Sequence, residues 1–313
     1  MIKPFLTYEQ QLKKLNTEKK LIINDSDFAL KILKHTGYFS IIDGYKTPFI
    51  NPMTRIYTGN TTFEDILFLY NFDRTLRDIF FRYICDVELH MRELISYFFC
   101  KRHGELQEQY LSASNYDCST KNKLIAVNKL ISILSFHANK NNEHRYLTHQ
   151  RIHHKNVPLW ATMKALTFGQ TSKFYSLLKF PMKTDICHEF VNINEDTLAS
   201  YLEKLCLIRN VCAHNERLYS FRFDKDFPDT KIHRKLGIPM KGEQYISGKN
   251  DLFGAVIALK YLLPSEYFCS FKNELVKCIN CYLKNSSRIT RSELYRFMGF
   301  PANWDKISRY RKI

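Results

Sequence analysis

The 313-residue sequence lacks a long hydrophobic run. Its most apolar stretch, "LFGAVIALKYLL" at 252–263, is too short and too interrupted to reach the ~20 residues of a bilayer-spanning helix. A membrane-spanning toxin is therefore the weakest reading, and no membrane partner is expected. The start, "MIKPFLTYEQQ", turns polar too soon for a secretory leader. No 20–50-residue repeat and no low-complexity segment is visible, which argues against solenoids and disordered tails. Cysteine is present nine times, an odd number without the spacing of a disulfide framework. Cys85, Cys206 and Cys212 fall within apolar helical patterns and read as reduced core thiols, so a cytoplasmic location is expected. Cys278 and Cys281 make a lone C-x-x-C, which without a second pair is weak evidence for zinc. Acidic residues are the minority: 31 against 47 Lys plus Arg, a net charge of +16. That balance suits a polyanion, nucleic acid or an anionic membrane surface, and charge alone does not separate the two.

What is present is a helical pattern. Thr7 with Gln10 forms a capping box before "YEQQLKKL"; Asp25 or Ser26 opens "DFALKILKH", and Gly37 is placed to end it. Residues 37–59, rich in Gly, Pro and aromatics, read as a compact connector with a short hairpin. From Thr62 to about Arg102, apolar residues recur at three- and four-residue steps, which predicts one long helix or two with a kink. A helix is expected over 119–138, and a polar, histidine-rich loop over 139–156. Pro158 starts the next helix, Gly169 ends it, and Ser172 caps a short one. Asn194 opens "EDTLASYLEKLCLIRNVCAH", a basic loop follows from about 221 to 250, and three further helices are expected near 251–263, 266–284 and 290–298. The expected class is mainly α, read as one compact body.

The end of the Asn194 helix carries the chemistry. "LCLIRNVCAHNERLYS" (205–220) begins as a packing helix, then places Arg209, Asn210, His214 and Arg217 within three turns. Arg209 and His214 form an R-x4-H pair that occurs once in the chain, a pattern of low information content by itself. Five residues of α-helix rise roughly 7.5 Å and turn about 140°, so the two flank an edge, with Asn210 on the histidine's face. Arginine offers a planar, permanent cation to a phosphate, and histidine moves protons near neutrality. These groups suffice for RNA cleavage by its own 2′-hydroxyl without a metal. The competing reading is structural: His214 and Arg217 compensate the helix dipole, and Arg209 pairs with a surface acid.

"RNVCAHNERLYS" resembles the R-N-x-x-x-H signature of HEPN-domain ribonucleases, most closely the abortive-infection (Abi) branch, with Ser220 standing where that family often has Asn. The resemblance extends through "KPFLTYEQQLKKL" (3–15), "ALKILKHTGYFSIIDGYKTPF" (29–49), "FDRTLRDIFFRYICDVELHMRELI" (72–95), "PLWATMKALTFGQTSKFY" (158–175) and "LYRFMGFPANW" (294–304). Several separated blocks in order are far more specific than one R-x4-H. The resemblance implies a HEPN-type helical bundle over 61–225, with an N-terminal accessory segment (1–60) and a basic, helical C-terminal segment (226–313). It implies a metal-independent endoribonuclease in anti-phage defence, with RNA as substrate and no cofactor. Arg209, Asn210 and His214 are its catalytic residues. An associated noncoding RNA is a reasonable partner. HEPN enzymes commonly pair two motif copies and this chain has one, so a homodimer is implied. The alternative is a non-catalytic RNA-binding module, or a toxin held by an antitoxin.

Glu88 and Arg92, an i,i+4 pair, read either as an exposed salt bridge or as support that orients Arg209 or His214 across a helix pair. Arg217 is a further supporting residue. Arg74 and Arg77 read more as internal salt-bridge partners than as RNA contacts. His149, His153 and His154 lack a carboxylate or cysteine to complete a metal set, so no metal is expected. Trp160, Phe168 and Tyr175 follow core spacing. The basic, aromatic-interleaved stretches 284–300 and 306–313 put forward Arg288, Arg291, Arg296, Arg309 and Arg311 for RNA, against the reading of a solvated tail.

Overall fold

A computed structural model describes residues 4–286 and 288–310. Arg311 therefore lies outside the described residues. The helices of the first half are α1 (Tyr8–Thr17), α2 (Ser26–Thr36), α3 (Phe63–His103), α4 (Gln107–Leu111), α5 (Lys121–Asn139), α6 (Arg145–His149) and α7 (Leu159–Met163). The second half adds α8 (Phe168–Leu177), α9 (Phe180–Cys187), α10 (Glu195–Ala213), α11 (Lys231–Lys235), α12 (Leu252–Leu262), α13 (Ser265–Asn285) and α14 (Arg291–Met298). A minimal hairpin, β1 (Met240–Lys241) with β2 (Gln244–Tyr245), supplies the named strands. The chain is mainly α.

The 41-residue α3 organises the rest. It contains neither Gly nor Pro, so nothing breaks its hydrogen-bond ladder, and the run is a single helix roughly 60 Å long. Thr62 and Asp65 close a capping box at its start, acids fill its first turn and Lys101, Arg102 and His103 its last, which matches the dipole at both ends. Its buried stripe, including Phe63, Ile66, Leu69, Leu76, Phe80, Ile84, Met91 and Ile95, packs chiefly against α13 and α10. Below α10 lies α12, buried at all eleven positions, as expected of a helix apolar on every side.

Several boundaries differ from the sequence expectation. Pro158 is the N-cap of the one-turn-plus α7, which stops at Met163, and Thr167 with Gln170 closes a capping box that starts α8. Gly169 and Ser172 thus sit inside α8, because the Thr167 box satisfies two end donors where Ser172 would satisfy one. A Cβ at Gly169 would meet the Cys206 sulfur at 3.4 Å, so the glycine permits close approach of α8 to α10. Residues 139–156 are not a plain loop: they form α6 and a π-helical turn over Gln150–His154. Arg151 there donates to the carbonyls of His137, Ala138 and Asn141, which closes the C-terminal end of α5. The 37–59 connector holds a π-helical turn (Phe39–Asp43), a 3₁₀ turn (Thr47–Phe49) and a single bridge between Ile50 and Tyr57. The basic loop after 220 holds α11 and the hairpin.

Candidate active site

The R-N-x-x-x-H run ends α10 in a defined way. His214 is the C-cap, and Asn215 follows with φ of 55°, the left-handed region that asparagine tolerates better than most side chains. Glu216 N–H donates to the Val211 carbonyl at 2.9 Å and Asn215 N–H to the Cys212 carbonyl at 3.2 Å. This Schellman arrangement satisfies two end carbonyls and turns the chain away from the helix axis. The fold thereby leaves the His214 ring at the surface, one turn beyond Asn210, which is also exposed.

The chain after the turn is anchored from below. Asp73, fully buried on α3, accepts from the Leu218 N–H at 2.9 Å, the Tyr219 N–H at 2.6 Å, the Tyr45 hydroxyl at 2.6 Å and Arg77 at 2.9 Å. Arg77 also donates to the Tyr45 oxygen and to the Glu216 carbonyl. Burial pushes the Asp73 carboxyl up, and its donors push it back. Every neighbour aimed at it donates, so the ionised carboxylate is the form the geometry supports. Tyr45 stacks on Tyr219 with ring centroids 6.0 Å apart. Arg217 donates to the Gly44 carbonyl at 2.9 Å, a second tie between the turn and the 38–46 segment. Arg77 is thus an internal ion-pair partner, whereas Arg74 is exposed.

Asp73 was not singled out by sequence reasoning, and a signal for it exists. It stands on the buried stripe of α3, between Leu69 and Leu76, where a carboxylate has to be answered by a partner. Arg77, four residues on, is that partner.

Arg209 is handled differently. Its Nε lies 3.7 Å from Glu88 Oε2, an ion pair too long to be a hydrogen bond, and that buried N–H has no hydrogen-bond partner among the described residues. The guanidinium lies over the Phe81 ring at 5.7 Å, with the side chain 29% exposed. Glu88 is 4% exposed and is held on its other oxygen by Arg92, which also donates to the Leu166 carbonyl. Glu88–Arg92 is therefore not a surface bridge but a buried carboxylate clasped between two arginines. The Cys85 and Cys206 thiols beside this cluster are pushed up chiefly by burial, so they stay protonated. Among the described residues the Asn210 side chain reaches only the Cys206 sulfur, at 4.0 Å. The structure therefore gathers Glu88, Arg92 and Arg209 between α3 and α10. It places Asn210 and His214 along the exposed edge of α10, with no side-chain hydrogen bond to His214 among the described residues.

The C-terminal cations lie apart from this cluster, and one is already committed. Arg288 pairs with Asp65 at 3.3 Å and donates to the Gly59 and Asn60 carbonyls, so it fastens the chain to the start of α3 rather than facing a ligand. Arg291 donates to Asn280 and lies over Tyr295, Arg296 lies over Phe297, and Arg309 is exposed. Of the interleaved aromatics, Phe300 and Trp304 are buried core. Phe168 and Tyr175 are core as their spacing predicts, but Trp160 is 46% exposed, because α7 turns Leu159, Ala161, Thr162 and Met163 inward and leaves Trp160 on its outer side. His149, His153 and His154 lie ring to ring, and among the described residues no group of three His, Cys, Asp or Glu is placed to hold a metal ion. No helix among the described residues is long and apolar enough to cross a membrane.

The profile of the Abi-like protein family matches residues 31–220, well over half of the chain. The chain belongs to this Abi-like family. The matched region starts in α2, spans the Tyr45, Asp73, Arg77 and Glu88 positions and closes just beyond Tyr219, so it contains the helix end and both of its supports. No curated protein and no solved structure matches the chain. Membership implies a role of the abortive-infection type.

Proposed function

We propose that this Abi-like protein is a metal-independent endoribonuclease of the HEPN type, acting in anti-phage abortive infection. The observation that carries the reading is the contrast within one helix end: an arginine held near a buried carboxylate without a hydrogen bond of its own, and an exposed histidine just over a turn away. A partly exposed arginine whose side chain makes no hydrogen bond among the described residues is a ready receptor for a phosphate, whose oxygens offer its terminal nitrogens charge-assisted bonds. On this reading a base, one imidazole, takes the proton from an RNA 2′-hydroxyl. The 2′-oxygen bonds to phosphorus, Arg209 stabilises the charge that builds on the phosphoryl oxygens, and a second imidazole protonates the departing 5′-oxygen as the P–O5′ bond breaks. The products are a 2′,3′-cyclic phosphate and a 5′-hydroxyl. Asn210, on the histidine's face, orients the phosphate or the ring.

Two imidazoles require two copies of the motif, and the chain has one. Leu207, 46% exposed, stands one turn before Asn210 and two before His214 on the same exposed edge of α10 and gives that edge an apolar border. A second copy of this chain is the occupant that completes the chemistry, so the working unit is a homodimer. A bound noncoding RNA fits the net charge of +16. In the second reading the same surface holds RNA without cutting it, or the protein is a toxin held by an antitoxin.

The test is incubation of the protein and of His214→Ala with mixed RNAs in EDTA. Cleavage by the wild type that disappears in the variant supports the nuclease. Binding by both with cleavage by neither supports the module. A strict monomer by light scattering would remove the composite site.

A further inference from the structure

A second cleft lies among the N-terminal elements, with no residue of the 209–220 motif in its lining, and is independent of the nuclease reading. It has two adjoining lobes that share Lys19, Tyr38 and Lys46. The inner lobe, about 310 Å³, is lined by Leu15, Ile42, Ile50, Arg55 and Tyr57 as well. The outer lobe, about 640 Å³, opens between Tyr8, Gln11, Lys14 and Phe39. These volumes suit a small molecule with a polar end and a planar one.

The inner lobe is built for an anion. Tyr57 is 7% exposed, and its hydroxyl has no hydrogen-bond partner among the described residues, a rare state for a buried phenol. Burial pushes the Tyr57 and Tyr38 phenols up, so both keep protons to donate. Lys46 is paired with Asp43, and Glu18 is the other carboxylate acting on Tyr38. Against these two acids stand Lys14, Lys19, Lys46 and Arg55, and neither Lys19 nor Arg55 has an ion-pair partner among the described residues. Arg55 is held in the left-handed region, φ 59°, by the 51–55 turn that carries it into the lobe. The outer lobe is aromatic: Tyr8, Tyr38 and the 79%-exposed Phe39 offer ring faces to a base. Gln11, lining the same lobe, has a buried Oε1 without a partner among the described residues.

We infer that this cleft binds a nucleotide, its phosphate against Lys19, Arg55 and the Tyr57 hydroxyl and its base against Tyr38 and Phe39. A free mononucleotide and the 5′-phosphorylated end of an RNA share this chemistry. The wall is continuous with the anchors of the motif turn, because Gly44 and Tyr45 lie between Asp43 and Lys46.

The experiment is calorimetric titration of the full chain with AMP, inorganic phosphate and a 5′-phosphorylated pentaribonucleotide. The Arg209→Ala variant serves as background, so that the motif contributes no phosphate contact. AMP is expected to bind with a dissociation constant on the order of 100 μM or tighter, and phosphate at least tenfold more weakly. Comparable binding of AMP and the oligonucleotide identifies a free nucleotide as sufficient, and binding of the oligonucleotide alone identifies an RNA end. Lys19→Glu with Arg55→Glu should weaken binding tenfold or more. Tyr57→Phe should weaken it several-fold while leaving the unfolding temperature unchanged or raised, because the hydroxyl satisfies nothing in the free protein. Absence of binding by both nucleotide probes, equal affinity for phosphate and AMP, or affinity indifferent to all three substitutions overturns the assignment.

Discussion

Where Arg77 donates to a carboxylate, a phenol and a main-chain carbonyl, Arg209 makes one long ion pair with Glu88 and lies over the Phe81 ring. Both arginines serve the same 12-residue stretch, and both face carboxylates supplied by α3. The difference separates what holds the motif from what the motif is for. An ion pair enclosed in the core, with the Arg77 side chain 2% exposed, fixes geometry, because breaking either member strands a charge without water. Each arginine keeps one buried nitrogen without an acceptor among the described residues, Arg77 its Nη2 and Arg209 its Nε, but Arg209, its side chain 29% exposed, is the one an incoming oxyanion can reach.

The comparison can be broken first at its buried half. Asp73→Ala removes the acceptor of four hydrogen bonds and leaves Arg77 uncompensated, so unfolding free energy should fall by about 3–5 kcal/mol in urea titration. A loss under about 1 kcal/mol would mean that the turn is held by something else. At the open half, His214→Ala should leave stability within about 0.5 kcal/mol and, on the nuclease reading, lower RNA cleavage by about a hundredfold or more. An unfolding shift as large as that of Asp73→Ala would erase the distinction between the halves. Arg217→Ala cuts the exposed tie to Gly44 and should cost only about 1 kcal/mol, with an intact far-ultraviolet spectrum.

The smallest effect concerns pH and a region remote from both. His233 is fully buried, its Nδ1 accepts from the Thr230 N–H at 3.1 Å, and its Nε2 donates to the Gly248 carbonyl at 3.1 Å. Burial, the largest influence, holds it below its usual 6.5, so the folded state keeps it neutral while the unfolded chain takes up a proton. Stability should be fully present above pH 6.5 and decline as pH falls below that value. Denaturation midpoints at pH 7.5 and 5.5 check this, and the difference between them should shrink in His233→Gln.

Much of the scaffold was legible in the sequence because its signals are local. The Thr7, Asp25 and Asn194 caps and the uninterrupted α3 pattern each depend on residues within one turn. So were Arg209 and Glu88 as possible neighbours, since each lies on a strongly patterned helix. What the sequence hid is non-local. Nothing near Asp73 says that its other partners are Tyr45, 28 residues back, and two amides about 145 residues on. Arg288 looks like a free cation in a basic tail until Asp65 and the 59–60 carbonyls, more than 220 residues away, claim it. Trp160 has core spacing, but the four other residues of α7 take the inward positions and leave it outside.

The long helix that carries both Asp73 and Glu88 also acts as a ruler. The two carboxylates are fifteen residues apart, roughly 22 Å of rise, and no flexible joint lies between them. One residue inserted or deleted in that interval would swing one of them about 100° around the axis, so that it could not meet its partner on the α10 end while the other stayed in place. Substitutions can accumulate along this interval, but its length is expected to be as invariant among working copies of the protein as the arginine and histidine themselves.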